Sequence, residues 1–410
     1  MRMAPRTAHV FTIIVTLVFA AGCKSVIDRR DDVRPRVLRD VPAQNLAYRL
    51  SPDHSGPSDP NAEDPLDKLE IISTDFATKR PDEALLRTVQ SPDGKRVLAV
   101  YATEAEPSSS FRIDLYNSEG QFLRNLVPPD LTCLFPETVS WSPDGNFINF
   151  IARKRVSASP TPAPPPDILP DPSGSPLPSP SVAPAFAPVA SYSTEQIYIA
   201  NRDGYDLKPL TAREGLIYFY FAWAPDAHAM VALACKEDEW NERERQFKSP
   251  AGRPRLIAPD GTERLLDDNS TDALPVWSPD ASKVATAFDT DVAIYDAGGN
   301  KPTQARVRLA DQLLTASVAY EQAMAAKKAS PSPDGSASGS GSSSASPSPT
   351  PATPPTSAPA SFNPIVRLDW SSPEVLYFQT AYVRIMPSEV IRTFPRWHQL
   401  NLSAQAAVLK

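Results

Sequence analysis

The stretch Trp141-Ser142-Pro143-Asp144-Gly145 separates two apolar runs of the chain. Proline presets φ at the first corner of a turn, aspartate can accept a hydrogen bond from the backbone two residues later, and glycine adopts positive φ at little cost. Strand-forming residues lie on both sides, and Phe147-Ile148-Asn149-Phe150 follows the turn. The sequence therefore predicts a β-hairpin at this position.

The same turn recurs along the chain in partly eroded copies. These copies are Gln90-Ser91-Pro92-Asp93-Gly94, Trp223-Ala224-Pro225-Asp226-Ala227, Trp277-Ser278-Pro279-Asp280-Ala281 and Trp370-Ser371-Ser372-Pro373-Glu374. A second hairpin signal follows each copy, consisting of a strand and a polar turn that usually contains glycine. Two hairpins make four strands per repeat, and repeated four-stranded units are typical of a β-propeller.

The repeats resemble the PD40 (WD40-like) repeat of the TolB propeller family. The segment Ile197 to Thr211, which reads IYIANRDGYDLKPLT, is similar to that family's consensus. The resemblance covers about residues 85–410 apart from two inserts, and it implies an all-β fold and a location in the cell envelope. The departures from the family pattern are Gln90 for Trp, Ala227 and Ala281 for Gly, and Glu374 after a displaced Pro.

The number of blades follows from the length of the repeat region. About 280–300 residues remain after the inserts and the N-terminus are subtracted, and at about 40–50 residues per blade this predicts six blades of four antiparallel strands. The sixth blade would combine candidate strands Leu46 to Leu50 and Leu69 to Ser73 with strands from the C-terminus. Joining both ends of the chain in one sheet would close the ring. The alternative is a small cap outside a ring of five blades.

The N-terminus resembles a bacterial lipoprotein signal peptide. Arg2 and Arg6 precede the apolar run Val10 to Phe19, which ends at Ala20-Ala21-Gly22-Cys23. The resemblance implies cleavage before Cys23 and lipidation of that residue, whose acyl chains would anchor the protein without a spanning helix. Lys24 after the cysteine resembles a sequence directed to the periplasmic side of the outer membrane. An ordinary signal peptide or an uncleaved anchor is the alternative.

The predicted domain organisation has three parts. Residues 1–22 form the signal peptide, residues 23–45 the lipidated Cys and a tether, and residues 46–410 the propeller. Two Pro/Ser/Ala-rich inserts, 157–190 and 330–363, interrupt the propeller, and their composition predicts extended, disordered segments. The run Leu309 to Lys328 is predicted to be helical, and Trp240 to Lys248 is predicted to be a charged, solvated loop in either helical or extended conformation.

No pattern for catalysis or metal binding is present in the sequence. The four histidines lack metal-ligand spacing, and neither a nucleophile elbow nor a phosphate-binding loop occurs. Similar repeats precede a hydrolase domain in peptidases of the prolyl oligopeptidase type, and this chain would be the propeller alone. We therefore expect a protein that is not an enzyme, with no catalytic, metal-binding or cofactor-binding residues and no cofactor.

The residues that the sequence singles out are the lipidation site Cys23 and the repeat turns. The turn aspartates are expected to stabilise their own turns, and the tryptophans to pack between blades. The predicted structural turn residues are Pro92, Asp93, Gly94, Trp141, Pro143, Asp144, Gly145, Trp223, Pro225, Asp226, Trp277, Pro279, Asp280, Trp370 and Pro373. Cys133 and Cys235 remain after Cys23, and both a disulfide and two buried thiols are compatible with their surroundings.

Net charge limits the classes of partner. A formal charge of -7 and a pI of about 5.3 give no electrostatic basis for binding nucleic acid. The resemblance to TolB-like propellers and to lipoproteins implies a function as a lipid-anchored, extracytoplasmic protein-binding scaffold whose partners are envelope proteins. The alternative is a glycan-binding, small-ligand-binding or catalytic propeller with a site at one face of the ring.

Overall fold

A computed structural model of the chain describes residues 38–57, 68–103, 110–154, 194–329, 364–386 and 389–405. The predicted signal peptide, the lipidation site Cys23 and both predicted inserts lie outside the described residues. Within the described residues, 21 strands form five antiparallel sheets. The described part of the chain also contains three α-helices, α1 (Glu70–Lys79), α2 (Glu237–Arg245) and α3 (Ala310–Ala329).

The sheets follow one another along the chain, and the first strand, β1 (Leu46–Ser51), joins the last of them. Sheet 1 contains β2 (Glu83–Gln90), β3 (Arg96–Thr103), β4 (Arg112–Asn117) and β5 (Phe122–Asn125). Sheet 2 contains β6 (Leu131–Leu134), β7 (Ser140–Trp141), β8 (Phe147–Lys154), β9 (Gln196–Asn201) and β10 (Lys208–Pro209). Sheet 3 contains β11 (Leu216–Trp223), β12 (Met230–Lys236), β13 (Arg253–Ile257) and β14 (Glu263–Leu265). Sheet 4 contains β15 (Val276–Trp277), β16 (Lys283–Phe288), β17 (Asp291–Asp296) and β18 (Gln304–Arg308). Sheet 5 contains β1, β19 (Ile365–Ser372), β20 (Val375–Met386) and β21 (Glu389–Ala404).

Neighbouring sheets pack face to face, because successive residues of a strand point to opposite faces. In β16, Val284 packs against sheet 3, whereas Ala285 packs against sheet 5. Four hydrophobic clusters join sheet 1 to sheet 2, sheet 2 to sheet 3, sheet 3 to sheet 4 and sheet 4 to sheet 5. Four-stranded antiparallel sheets stacked in this order are the architecture of a β-propeller.

The two ends of the chain meet in sheet 5. Strand β1 pairs with β21 in a register that runs from Leu46 opposite Ala404 to Ser51 opposite Gln399. The predicted union of N-terminal and C-terminal strands is therefore present. The sheet that these strands complete is, however, the fifth and not a sixth sheet of the described residues. The six-blade count is therefore not confirmed.

Helix α1 takes the place that was predicted for a strand of a sixth blade. The candidate strand Leu69 to Ser73 lies mostly in this helix, whose Ile72 and Phe76 are spaced four residues apart and buried on one stripe. They pack on the face of sheet 1 that points away from sheet 2, against Val97 and Tyr101. The strand prediction was wrong because a helix places Ile72 and Phe76 one turn apart, so that both side chains pack into one compact cluster on this face.

The folded region also begins earlier than predicted. The tether was expected to extend to residue 45, but Leu38, Val41 and Ala43 are buried in the cluster between sheets 4 and 5. The main-chain N–H of Ala43 donates to Asp296 Oδ1 at 3.0 Å. The segment is fixed because apolar burial and this hydrogen bond act together.

Two segments outside the sheets can be compared with their predictions from the sequence. Helix α3 confirms the helix predicted from Leu309 to Lys328, but Leu313 and Ala316 form its buried face, while Leu314 and Val318 are exposed. The charged segment that begins at Trp240 is largely helix α2. Trp240 anchors this helix through ring contacts with Phe135 and Phe219, at centroid distances of 5.8 and 5.6 Å.

The two described cysteines are not bridged. Cys133 and Cys235 are buried cysteines that form no disulfide, so the alternative of a disulfide is excluded. Burial raises the pKa of Cys235 to about 12, which makes its thiol a poor nucleophile.

Among the described helices, none combines the length and the apolar character that a bilayer crossing requires.

Candidate functional site

The repeat turns fall at one end of every sheet. In sheets 1 to 4, we call the repeat turn that contains the Pro-Asp pair the first turn of the sheet (in sheet 2 it joins β7 to β8), and the turn between the last two strands the second turn. Because the strands are antiparallel, both turns lie at the same end, and in sheet 4 the N–H of Ala297 in the second turn donates to Ser282 O in the first at 2.9 Å. In sheet 1, Ser118 N–H donates to Lys95 O at 3.1 Å in the same way.

The turn aspartates accept hydrogen bonds within their own turns. Asp93 accepts hydrogen bonds from the Ser91 hydroxyl at 2.7 Å and from Lys95 N–H at 3.1 Å, which with Arg202 hold its pKa at about 2. Asp144 and Asp280 accept the equivalent bonds from the serine two residues before them. Burial by itself would raise the pKa of Asp280, but these bonds lower it below the usual range.

The predicted tryptophans lie between sheets. Trp141 Nε1 donates to Val89 O of sheet 1 at 3.0 Å, and Trp277 Nε1 donates to Ala222 O of sheet 3 at 3.0 Å. Trp223 stacks on Phe147 of sheet 2 with an interplanar angle of 11°. Trp370 is buried in the cluster that joins sheets 4 and 5. The four tryptophans therefore pack where neighbouring sheets meet.

The junction between sheets 1 and 2 is closed by two ion pairs. Asp93, in the first turn of sheet 1, accepts a hydrogen bond from Arg202 in the second turn of sheet 2, at 2.7 Å. Next to it, Arg96 of sheet 1 pairs with Asp203 of the same second turn. The side chains of the two turns thus occupy the space between them.

The equivalent junction between sheets 3 and 4 is open. A cavity of about 490 Å³ lies there, between the first turn of sheet 3 and both turns of sheet 4. The N-terminal segment from Arg39 to Pro42 forms a further wall. We call this space the 3–4 cavity. It is within the size range of pockets that bind ligands in proteins.

Two of the predicted turn aspartates, Asp226 and Asp280, line the 3–4 cavity. The structure brings these two aspartates, from the first turns of neighbouring sheets, to one cavity. Asp226 pairs with the Nδ1 of His228, whose ring packs edge-on against Trp277 at 5.6 Å. Burial alone would raise the pKa of Asp226, and the hydrogen bonds from His228 lower it below the usual range.

A buried ion pair forms the floor of the same cavity. Lys283 is 3% exposed, and its Nζ lies 3.3 Å from Asp296 Oδ1. Asp296 also accepts hydrogen bonds from Ala43 N–H and from the Thr303 hydroxyl and N–H. Neither Lys283 nor Asp296 belongs to the residues predicted from the sequence to be important. A charged residue at the start of a largely apolar strand, as in Lys283-Val284-Ala285, was the signal that could have identified Lys283.

The cavity has a mixed, slightly acidic lining. Four carboxylates, on Asp40, Asp226, Asp280 and Asp296, face three cationic side chains, on Arg39, Lys283 and Lys301. Among these aspartate, arginine and lysine side chains, the lining carries one negative charge in excess. Such a site can bind a polar or cationic group. The part of the chain that the structure describes contains no group of three or more side chains arranged to hold a metal ion.

A second cavity, of about 660 Å³, lies between α1 and the outer face of sheet 1. Its central ion pair joins Arg80 to the buried Asp114 at 2.6 Å, and Asn125 donates to the same carboxylate at 2.8 Å. The guanidinium of Arg80 also lies 4.3 Å from the ring centroids of Phe76 and Tyr101. This network fixes the helix to the sheet and has its polar groups paired internally, so the 3–4 cavity is the stronger candidate.

Comparisons with known proteins give fold likenesses only. No protein-family model and no curated protein matches the chain. Among solved structures, an oligogalacturonate lyase in complex with manganese aligns with 77% of this chain and 64% of its own, at 11% identity and a TM-score of 0.34. A prolyl endopeptidase aligns with 92% of this chain and 45% of its own, at 10% identity and a TM-score of 0.38. A nidogen/laminin complex aligns with 79% of this chain and 87% of its own, at 9% identity and a TM-score of 0.32.

These findings correct one prediction from the sequence. The expectation that the chain is not an enzyme does not stand, because enzymes, including the lyase and the endopeptidase, are prominent among the structures with which it aligns. The absence of familiar catalytic motifs does not exclude an enzyme, since a propeller can assemble a catalytic site from loops of different blades. The chain spans less than two thirds of the length of either enzyme, and the low TM-scores assign no activity to it.

Proposed function

We propose that this chain is a lipid-anchored, extracytoplasmic propeller that binds a segment of another envelope protein in the 3–4 cavity. The observation that carries the proposal is the difference between two equivalent junctions. Ion pairs close the junction between sheets 1 and 2, whereas the junction between sheets 3 and 4 leaves a cavity of about 490 Å³ lined by charged side chains. Rigid sheets hold these turns in place, which suits the recognition of a partner.

Photo-crosslinking in the native cells tests this proposal. A benzoylphenylalanine is placed at Asn300, an exposed residue that lines the cavity, and in a matched variant at Glu119, an exposed residue in the second turn of sheet 1. We expect one dominant envelope protein to be crosslinked from position 300 and not from position 119. The same scattered neighbours from both positions would contradict the proposal.

The proposed anchor is tested separately. Cys23 follows an apolar run and small residues that resemble a lipoprotein signal, and this supports lipidation. We expect the protein to sediment with outer membranes and to incorporate a labelled fatty acid. The Cys23→Ser variant should incorporate none, and equal labelling of both proteins would contradict the assignment.

A second candidate function is the binding or conversion of a small polar ligand at the same cavity. The pair of Asp226 and His228 favours it, because a carboxylate that holds an imidazole by Nδ1 leaves Nε2 available for hydrogen bonding or proton transfer. A thermal-shift screen of envelope glycans and small metabolites separates the candidates. A ligand that stabilises the protein but not its His228→Ala variant would support the second one.

A further inference from the structure

The two junctions can be aligned residue by residue through their strand registers. In sheet 2, Phe147 is opposite Asn201, and in sheet 4, Lys283 is opposite Asp296. Asn201 and Asp296 therefore begin the second turns of their sheets at the same position. The next residue is Arg202 in sheet 2 and Ala297 in sheet 4.

The replacement of Arg202 by Ala297 leaves one carboxylate oxygen of the open junction without a cationic partner. In the closed junction, Asp93 uses Oδ1 for its own turn and accepts Arg202 through Oδ2. In the open junction, Asp226 likewise uses Oδ1 for His228 of its own turn. No hydrogen bond from another described residue reaches its second oxygen, because the methyl group of Ala297 cannot replace the guanidinium of Arg202.

The second aspartate of the cavity shows the same arrangement. Asp280 receives the Ser278 and Ser282 donors on Oδ1, and its Oδ2 accepts no hydrogen bond from the described residues. The excess negative charge of the cavity lining also favours the binding of a cation. Two carboxylates that each offer one oxygen suit a planar, multiply donating cation.

We infer that the 3–4 cavity receives an arginine side chain of the partner protein, which takes the place that Arg202 occupies in the junction between sheets 1 and 2. The inference rests on the proposed function and adds the chemistry of the partner. The guanidinium pairs with Asp226 and Asp280, and the partner is a protein segment that presents an arginine. An ion pair of this kind in a partly exposed cavity contributes little by itself, so it supplies specificity more than affinity.

The test uses the full chain in detergent, with its alanine methyl groups isotopically labelled for NMR. The probe is the capped tripeptide acetyl-Gly-Arg-Gly-amide, and the matched probe has citrulline, which is nearly isosteric and uncharged, in place of arginine. We expect the arginine probe to shift the methyl signals of Ala227 and Ala281 in the turns that border the cavity, and the citrulline probe to shift neither. Asp226→Asn should weaken the binding about fivefold, which corresponds to about 1 kcal/mol, whereas Asp144→Asn in sheet 2 should leave it unchanged.

A second variant supplies the missing arginine within the chain. Ala297→Arg should fill the cavity, abolish the shifts caused by the probe and raise the melting temperature. Equal shifts with both probes, or shifts spread over methyl groups far from the cavity, would overturn the inference. A crosslinked partner at position 300 without any preference for arginine would leave the proposed function intact and reject only this inference.

Discussion

The main-chain N–H of Asp53 donates to Nδ1 of His398 at 3.3 Å and joins residues 345 positions apart in the sequence. Because Nδ1 accepts this hydrogen bond, Nε2 carries the proton of the neutral ring and donates to Thr380 Oγ1 at 3.0 Å. The side chain of Asp53 pairs with Arg396, which also bonds Ser317 Oγ and Ala316 O of α3. One buried cluster thus holds the N-terminal loop, α3 and β21 together.

Acid should destabilise the protein through His398. Burial, together with the charge of Arg396, lowers the pKa of this ring to about 4 in the folded state, against about 6.5 in an unfolded chain. The unfolded state therefore binds more protons between these values, and stability that is fully present above pH 6.5 is lost as the pH falls towards 4. The loss amounts to at most about 3 kcal/mol.

Urea unfolding at pH 7 and at pH 4.5 checks this effect. In His398→Gln the difference in unfolding free energy between the two pH values should be smaller than in the unmodified protein by about 2–3 kcal/mol. His54→Gln, which changes an exposed ring in the same loop, should keep the full difference. An unchanged difference in His398→Gln would show that the ring does not titrate as described.

The eroded turns carry a conformational cost that can be removed. Ala227 has a φ of 62°, in the region that Gly145 occupies with a φ of 70° in the equivalent turn of sheet 2. A left-handed conformation costs a residue with a Cβ about 1–2 kcal/mol, and glycine recovers part of this despite its greater freedom in the unfolded state. Ala227→Gly should therefore stabilise the protein by about 0.5–1 kcal/mol, measured by urea unfolding.

The reverse substitution is the matched control. A Cβ added at Gly145 would lie 3.5 Å from Pro92, which is an ordinary contact, so Gly145→Ala tests backbone conformation and not space. It should destabilise the protein by about 1 kcal/mol. A change of the same sign in both variants would contradict the explanation.

The indole hydrogen bonds between sheets should be measurable. Trp277→Phe removes the bond from Nε1 to Ala222 O and part of the ring, and we expect it to lower the unfolding free energy by about 2 kcal/mol. Trp370 is buried to a similar extent, but its Nε1 has no acceptor among the described residues. Trp370→Phe should therefore cost about 1 kcal/mol less than Trp277→Phe in the same assay. Equal costs would indicate that the hydrogen bond contributes nothing.

Helix α1 should depend on Arg80. Arg80→Met leaves the carboxylate of Asp114 buried, where burial raises its pKa, and we expect a loss of about 3 kcal/mol of unfolding free energy. The double variant Arg80→Met with Asp114→Leu should recover most of this loss, because it removes the buried charge as well. Lys79→Met, which breaks an exposed pair with Asp75, should cost less than about 1 kcal/mol. A double variant as unstable as Arg80→Met would show that packing, and not charge, fixes the helix.

The sequence by itself determined the local elements of this protein. The Ser-Pro-Asp-Gly turn closes its own hydrogen bonds within five residues, so Asp144 and Phe147 could be placed without knowledge of the rest of the chain. The strands on either side, the pairing of N-terminal and C-terminal strands in one sheet, and the packing of the tryptophans between sheets followed from these repeats.

The tertiary structure alone decided which equivalent positions differ in their surroundings. Asp93 and Asp226 occupy the same position of the same turn, yet Arg202 satisfies one and a cavity faces the other. Whether residues 69–73 form a strand or a helix likewise depended on the apolar face of sheet 1. Local pattern cannot encode these outcomes, because each depends on side chains that are distant in sequence and become neighbours only when the sheets pack.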